Sequence, residues 1–284
     1  MKKCGILAYV LILLAACTGK KNIEENNPAD QKAKETVTAS ASLKESPQPA
    51  TITISDSIPL DPGDSKSPAL RVDLSIEPLV LNNIAATEKA LNEISYTLTG
   101  KETGSLEAAC RMYVDNLTQE YKRNLPDYIN TRGAEESHYW LNYYYSVTGK
   151  QSSGYKGYTT YMLSFEEYTG GAHGYNYNIS LSFDPESGKD IALGDVIMEN
   201  SEDKLIELLQ EALTGHFKVK DREELVKNGY IFDKPLFISK NIVFGEKSLK
   251  FIYNPYEIAC YASGEIILEV EYEKLKDIMK KDAF

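Results

Sequence analysis

Apolar and polar residues alternate one by one in several stretches of this chain. Leu70, Val72, Leu74 and Ile76 are interleaved with Arg71, Asp73, Ser75 and Glu77. Tyr175, Tyr177, Ile179, Leu181 and Phe183 are interleaved with Asn176, Asn178, Ser180, Ser182 and Asp184. Leu249, Phe251 and Tyr253 repeat the pattern near the C-terminus, as do Ile266, Leu268, Val270 and Tyr272. A period of two residues is that of a half-buried β-strand. Aromatic and β-branched residues predict two further strands, at 139–148 and 155–167. Elsewhere the period becomes helical. Leu106, Ala109, Cys110, Tyr113 and Leu117 form the apolar stripe of a helix over 105–124, and Leu205, Leu208, Leu209, Ala212 and Leu213 form that of a helix over 202–217. Shorter helices are expected at 85–98, 221–227 and 273–280. Strand runs broken by helices without a βαβ rhythm predict an α+β fold of antiparallel sheets packed with helices.

The two ends of the pattern differ in kind. Lys2 and Lys3 precede an apolar run from Gly5 to Ala16, closed by Leu14, Ala15, Ala16 and Cys17. That is the shape of a secretory signal at 1–16, too short to cross a hydrocarbon core of about 30 Å. Small residues directly before a cysteine make Cys17 the expected lipidation site, which would anchor the protein to a membrane of the cell envelope. Residues 17–68 are polar and rich in proline, a composition that buries too little apolar surface to offset the entropy of ordering. The segment is read as a flexible tether with a reach of roughly 40 Å. Residues 51–54, Thr-Ile-Thr-Ile, are the one place in it where a short strand competes with that reading.

Charge and chemistry narrow the function classes. The formal charge of −11 becomes −13 once residues 1–16, with their two lysines, are removed. A nucleic-acid partner, which needs a basic footprint, is thereby disfavoured. The three histidines, His138, His173 and His216, have no second ligand at metal spacing, and no metal or other cofactor is expected. Ser153 and Lys156 match S-x-x-K, but Gly154 and Gly157 place them in a turn rather than on one helical face. No catalytic residue can be named.

Three features remain open between a structural and a functional reading. Cys110 and Cys260 could form a disulfide in an oxidising envelope, or each could be a small buried hydrophobe. The turn at 169–174, Thr-Gly-Gly-Ala-His-Gly, either connects two strands tightly or presents His173 to a ligand. The chain holds 20 tyrosines and one tryptophan. Trp140, Tyr143, Tyr145 and Tyr158 are candidates for a binding face, against the alternative of core packing.

Two pairs of segments resemble a known family. They are 168–174 with 183–196, and 253–264 with 270–275. Together they are similar to the paired extracytoplasmic domains shared by the anti-sigma factor RsiV and the non-catalytic part of the peptidoglycan deacetylase PdaC. The resemblance implies two closely joined α+β subdomains, PdaC-like over 69–183 and RsiV-like over 184–284. It makes Gly170, Gly171, Gly174 and Tyr256 motif positions that suit structural turns. Cys260 departs from the family pattern. The implied function is a lipid-anchored, non-enzymatic envelope module that binds lysozyme, another basic protein or peptidoglycan. A glycan hydrolase using dispersed carboxylates, or a structural subunit of an envelope complex, are the alternatives.

Overall fold

A computed structural model describes residues 50–131 and 138–281. The expected signal peptide, the expected lipidation site Cys17 and the first part of the predicted tether lie outside the described residues. Two sheets carry the architecture. The first has five strands, β1 (Ile52–Pro59), β2 (Ala69–Ile76), β3 (Tyr143–Ser153), β4 (Thr159–Tyr168) and β5 (Tyr175–Phe183), in sequence order across the sheet. The second has three antiparallel strands, β6 (Ile242–Phe244), β7 (Ser248–Tyr253) and β8 (Ile266–Glu271), with β7 in the middle. The α+β class is therefore as the periodicity predicts. One pairing departs from it: β2 and β3 run parallel, with Leu70 opposite Tyr143 and Ile76 opposite Gly149. A parallel pair needs a long crossover, supplied here by α1 (Ile84–Thr99), α2 (Leu106–Tyr121) and α3 (Leu125–Thr131).

Helix ends follow local chemistry. The Asn83 side chain accepts the Ala86 N–H and the Ser105 side chain accepts the Ala108 N–H, satisfying amides that lack a helical partner. The inner faces of α1 and α2 bring Ala90, Ile94, Ala109 and Cys110 onto the buried side of β2, where Leu70, Val72, Leu74 and Ile76 are essentially inaccessible. A second core lies under α5 (Glu202–Phe217), whose Leu205, Leu209 and Leu213 meet Leu249, Phe251 and Leu268 of the second sheet. The first core ends at Phe183 and the second begins at Ile191. Short helices α4 (Leu193–Val196), α6 (Arg222–Lys227) and α7 (Tyr272–Leu275) complete the second half. No described helix is long and apolar enough to cross a membrane.

Several expectations need correction. The tether does not run to Pro68: residues 52–59 form an edge strand, antiparallel to β2 from Ile52 opposite Ile76 to Pro59 opposite Ala69. Ile52, Ile54 and Ile58 pack against the first core, and Leu60 is 1% exposed. Proline is compatible with an edge strand, whose outer amides have no ladder partner. Residues 61–67 are its hairpin loop, where the Asp61 side chain accepts the Gly63 N–H and Asp64 accepts the Lys66 N–H. The predicted strand at 139–148 starts only at Tyr143, after a 3-10 turn at Tyr139–Leu141, and Tyr155–Gly157 is likewise a 3-10 turn. The helix expected at 273–280 stops at Leu275. Residues 125–131, for which no helix was expected, form α3.

The halves are joined along the free edge of β5. Asn241 Oδ1 accepts the Ser180 N–H at 2.7 Å, and its Nδ2 donates to the Asn178 carbonyl at 2.8 Å. Asn254 Oδ1 accepts the Asn178 N–H at 2.8 Å, while its Nδ2 donates to the same carbonyl at 3.0 Å. Side-chain amides thus supply the donors and acceptors that a sixth strand would, which also blunts an exposed edge. Replacing Asn241 with leucine leaves the Ser180 N–H without its acceptor and is expected to cost about 2 kcal/mol, read as a lower urea midpoint. An unchanged midpoint would show that water replaces the amide at no cost.

Candidate functional site

The turn between β4 and β5 organises the site. Gly170 and Gly171 take φ of 89° and 103°, values that other residues adopt only with strain. At Gly170 a side chain is also excluded sterically, because a Cβ would sit 2.6 Å from the Trp140 carbonyl oxygen. Gly174 closes the turn, with a Cβ position 2.8 Å from the Glu167 carbonyl oxygen. The glycines let the turn fold down against Trp140 on one flank and lift His173 on the other.

A row of rings starts at His173. Its imidazole stacks on Tyr261 with centroids 4.1 Å apart, Tyr261 lies 5.7 Å from Tyr256, and Tyr256 lies 6.4 Å from Tyr175. The row continues through Tyr177 to the buried Phe165, where centroids are 4.6 Å apart and planes differ by 6°. Adjacent planes are within 30° throughout. His173 Nδ1 lies 2.8 Å from the Gly174 carbonyl oxygen and Nε2 lies 3.5 Å from Tyr256 Oη.

Tyr256 is the strained member. It is 51% exposed and holds φ of 71°, in the left-handed region that costs a non-glycine residue about 1–2 kcal/mol. The preceding Pro255 and the ring contacts keep it there, and Tyr175 Oη donates to the Pro255 carbonyl at 3.3 Å. A strained backbone under an exposed ring is the kind of outlier that gathers at binding sites. Beside this row, Glu167 is half-buried near Tyr145 and Tyr177, and burial first, then the Glu120 carboxylate, raises its pKa above the usual carboxylate range.

On the other flank Trp140 is 38% exposed, next to the more exposed Tyr139. His138 lies 5.3 Å from Trp140 and 5.1 Å from Tyr128, and its Nε2 is 2.8 Å from Thr131 Oγ1. Exposed rings therefore stand on both sides of one glycine turn and form an aromatic rim at the end of the five-stranded sheet.

The tyrosines proposed as a single binding face divide. Trp140 and His173 belong to the rim. Tyr143 instead lies 5.2 Å from Tyr121 under α2, Tyr145 is half-buried on the same core, and Tyr158 sets its edge on Phe244 at 5.6 Å against the second core. Strand alternation explains the division, since Tyr143 and Tyr145 face inward while Tyr144 faces outward. The cysteines are not paired. Cys110 is buried on the inner stripe of α2, where burial pushes its thiol up to about 11, while Cys260 is an exposed free thiol beside Ser263. The helical position that makes Cys110 a small hydrophobe keeps it from an exposed partner. Sequence reasoning missed Tyr261 and Tyr175 as rim residues, and of that corner it named only Tyr256, as a motif position. Among the described residues, no three His, Cys, Asp or Glu side chains are grouped to hold a metal ion.

This α+β arrangement of sheets and helices is similar to that of solved structures. The chain is similar over 82% of its length to the crystal structure of a DUF3298 family member from Bacteroides fragilis NCTC 9343, with 93% of that chain covered, a TM-score of 0.75 and 22% identity. A DUF3298 family protein from Pseudomonas aeruginosa PAO1 matches over 84% of this chain and 97% of its own, with a TM-score of 0.52 and 20% identity. Residues 190–273, which carry most of the second core, match the model of DUF3298, a protein family of unknown function. No curated protein matches the sequence.

Proposed function

We propose that this chain is a lipid-anchored binding module of the cell envelope, without catalytic chemistry of its own, which captures a basic protein such as lysozyme or contacts cell-wall material through the aromatic rim. The observation that carries the reading is Tyr256, a half-exposed ring held in a strained backbone conformation between Tyr175 and Tyr261. Aromatic residues with a polar tip are favoured at binding hot spots because they bury large area at little entropic cost. The resemblance of 168–174 with 183–196, and of 253–264 with 270–275, to the RsiV and PdaC domains supports the same surface, since the rim turn and Tyr256 fall within those segments. A charge of −13 without residues 1–16 favours a basic partner and predicts an affinity that falls with salt.

The test is titration of hen lysozyme into the full chain in detergent micelles at physiological salt. Binding at micromolar concentration is expected, and Tyr256→Ala is expected to weaken it about 30-fold, the effect of a hot-spot ring. No binding removes lysozyme as the partner. Binding that Tyr256→Ala leaves intact removes the rim as the site.

A further inference from the structure

The outward face of the five-stranded sheet is built differently from the rim. Register places Thr53, Ser75, Thr148, Ser164 and Asn178 in one straight row across all five strands. A second row runs beside it through Ser55, Asp73, Ser146, Glu166 and Asn176. At about 4.8 Å between strands, each row spans roughly 19 Å.

Toward β5 this face is a groove of about 230 Å³, lined by Ser146, Thr148, Ser164, Glu166, Asn176 and Asn178 together with Phe165 and Tyr177. The second half walls its end, where the Asn178 amide donates to the Glu265 carboxylate. The side chains of Ser146, Thr148, Ser164, Glu166 and Asn176 have no hydrogen-bond partner among the described residues. An antiparallel sheet often shows one polar face to water, but a merely solvated face has no need of concavity.

We propose that this groove binds a neutral oligosaccharide, laid across the strands along the two rows. Hydroxyls and amides there both donate and accept, matching sugar hydroxyls, and the Glu166 carboxylate accepts from two at once. The strand spacing is close to the length of one pyranose unit. No lysine or arginine lines the groove, which disfavours phosphate and acidic glycans. The Phe165 and Tyr177 side chains alternate onto the inner side of the sheet and pack in the first core, so neither ring offers a protein partner an anchor in the groove. Because the lining residues sit on paired strands, little ordering remains to be done on binding. This site is separate from the rim and does not depend on the function proposed for it.

The experiment is calorimetric titration of chitotetraose into the full chain in detergent. Saturable binding is expected, weakened about tenfold by Thr148→Val, which removes one hydroxyl while keeping shape and strand preference, and about tenfold by Asn176→Ala. Lys204→Ala, on the exposed face of α5 and outside both the rim and the groove, is expected to leave it unchanged. Absence of saturation at millimolar sugar overturns the proposal, as does binding indifferent to both groove variants or lost with Lys204→Ala. Competition by a basic peptide in place of the sugar also overturns it.

Discussion

Alanine at Gly188 is expected to lower the free energy of unfolding by about 3 kcal/mol, combining a left-handed backbone cost with a steric one. Gly188 holds φ of 62°, and a Cβ there would fall 2.1 Å from the Ala86 carbonyl oxygen and 2.8 Å from the Ala86 Cα. The obstacle is backbone in the first turn of α1, so no side-chain rotation relieves it. The surrounding turn cannot easily step back either. Asp184 donates its N–H to the Lys189 carbonyl and accepts the Gly188 N–H on its own, while its carboxylate accepts from the Ser187 N–H and hydroxyl, each at 2.7 Å. Those bonds hold the Asp184 pKa below the ordinary range. The Asn82 N–H donates to the Pro185 carbonyl at 3.0 Å, fixing the turn to the segment that enters α1. Urea denaturation measures the effect as a reduced midpoint with an unchanged slope. A loss of only about 1 kcal/mol would show that the turn moves away from α1 as a unit, leaving only the backbone part.

How far such features can be read from the chain depends on how local their causes are. The helix at Glu202–Phe217 has the bounds its apolar stripe predicts, because Leu205, Leu209 and Leu213 recur on one face and nothing competes with them. The strand at Ile266–Glu271 is equally legible, its burial alternating residue by residue. The edge strand at Ile52–Pro59 is not, because its polar, proline-flanked composition becomes a strand only when Ile52, Ile54 and Ile58 find the core laid down by β2 and α2. The parallel β2–β3 pair is set by a crossover of three helices, and no window of sequence contains both partners.

At the candidate site, the glycine turn and His173 were visible as a motif, and Trp140 as the one indole. Tyr256 was visible as a residue but not as a strained one, since a tyrosine in the left-handed region is dictated by its neighbours rather than by its own preference. The amide pairing of Asn241 and Asn254 with β5 likewise joins residues more than 60 positions apart. The polar rows on the outward face were half legible. Their alternation gave each strand's wet side, but their alignment across strands is a matter of register.

Phe251→Ala is expected to produce the largest loss, about 3–5 kcal/mol, the cost of removing a fully buried phenyl ring. Phe251 has no exposed surface and stands in the middle strand of the second sheet, opposite Ile242 on one side and Leu268 on the other. Neighbouring Leu249, Ile252 and Tyr253 are buried as well, so the cavity has few ways to collapse. The consequence extends past this core. Asn241 directly precedes β6 and Asn254 directly follows β7, so the amides that hold the β5 edge hang on the strands the substitution loosens. Tyr256 lies two residues further on, and with it the rim. The single tryptophan, Trp140, belongs to the other half and makes the coupling measurable. If the amide seam joins the halves thermodynamically, Trp140 fluorescence and far-ultraviolet circular dichroism of Phe251→Ala will shift to one common, lower urea midpoint. A dichroism curve in two steps, with the Trp140 transition left where it stands in the parent protein, would mean that the first sheet folds without its neighbour.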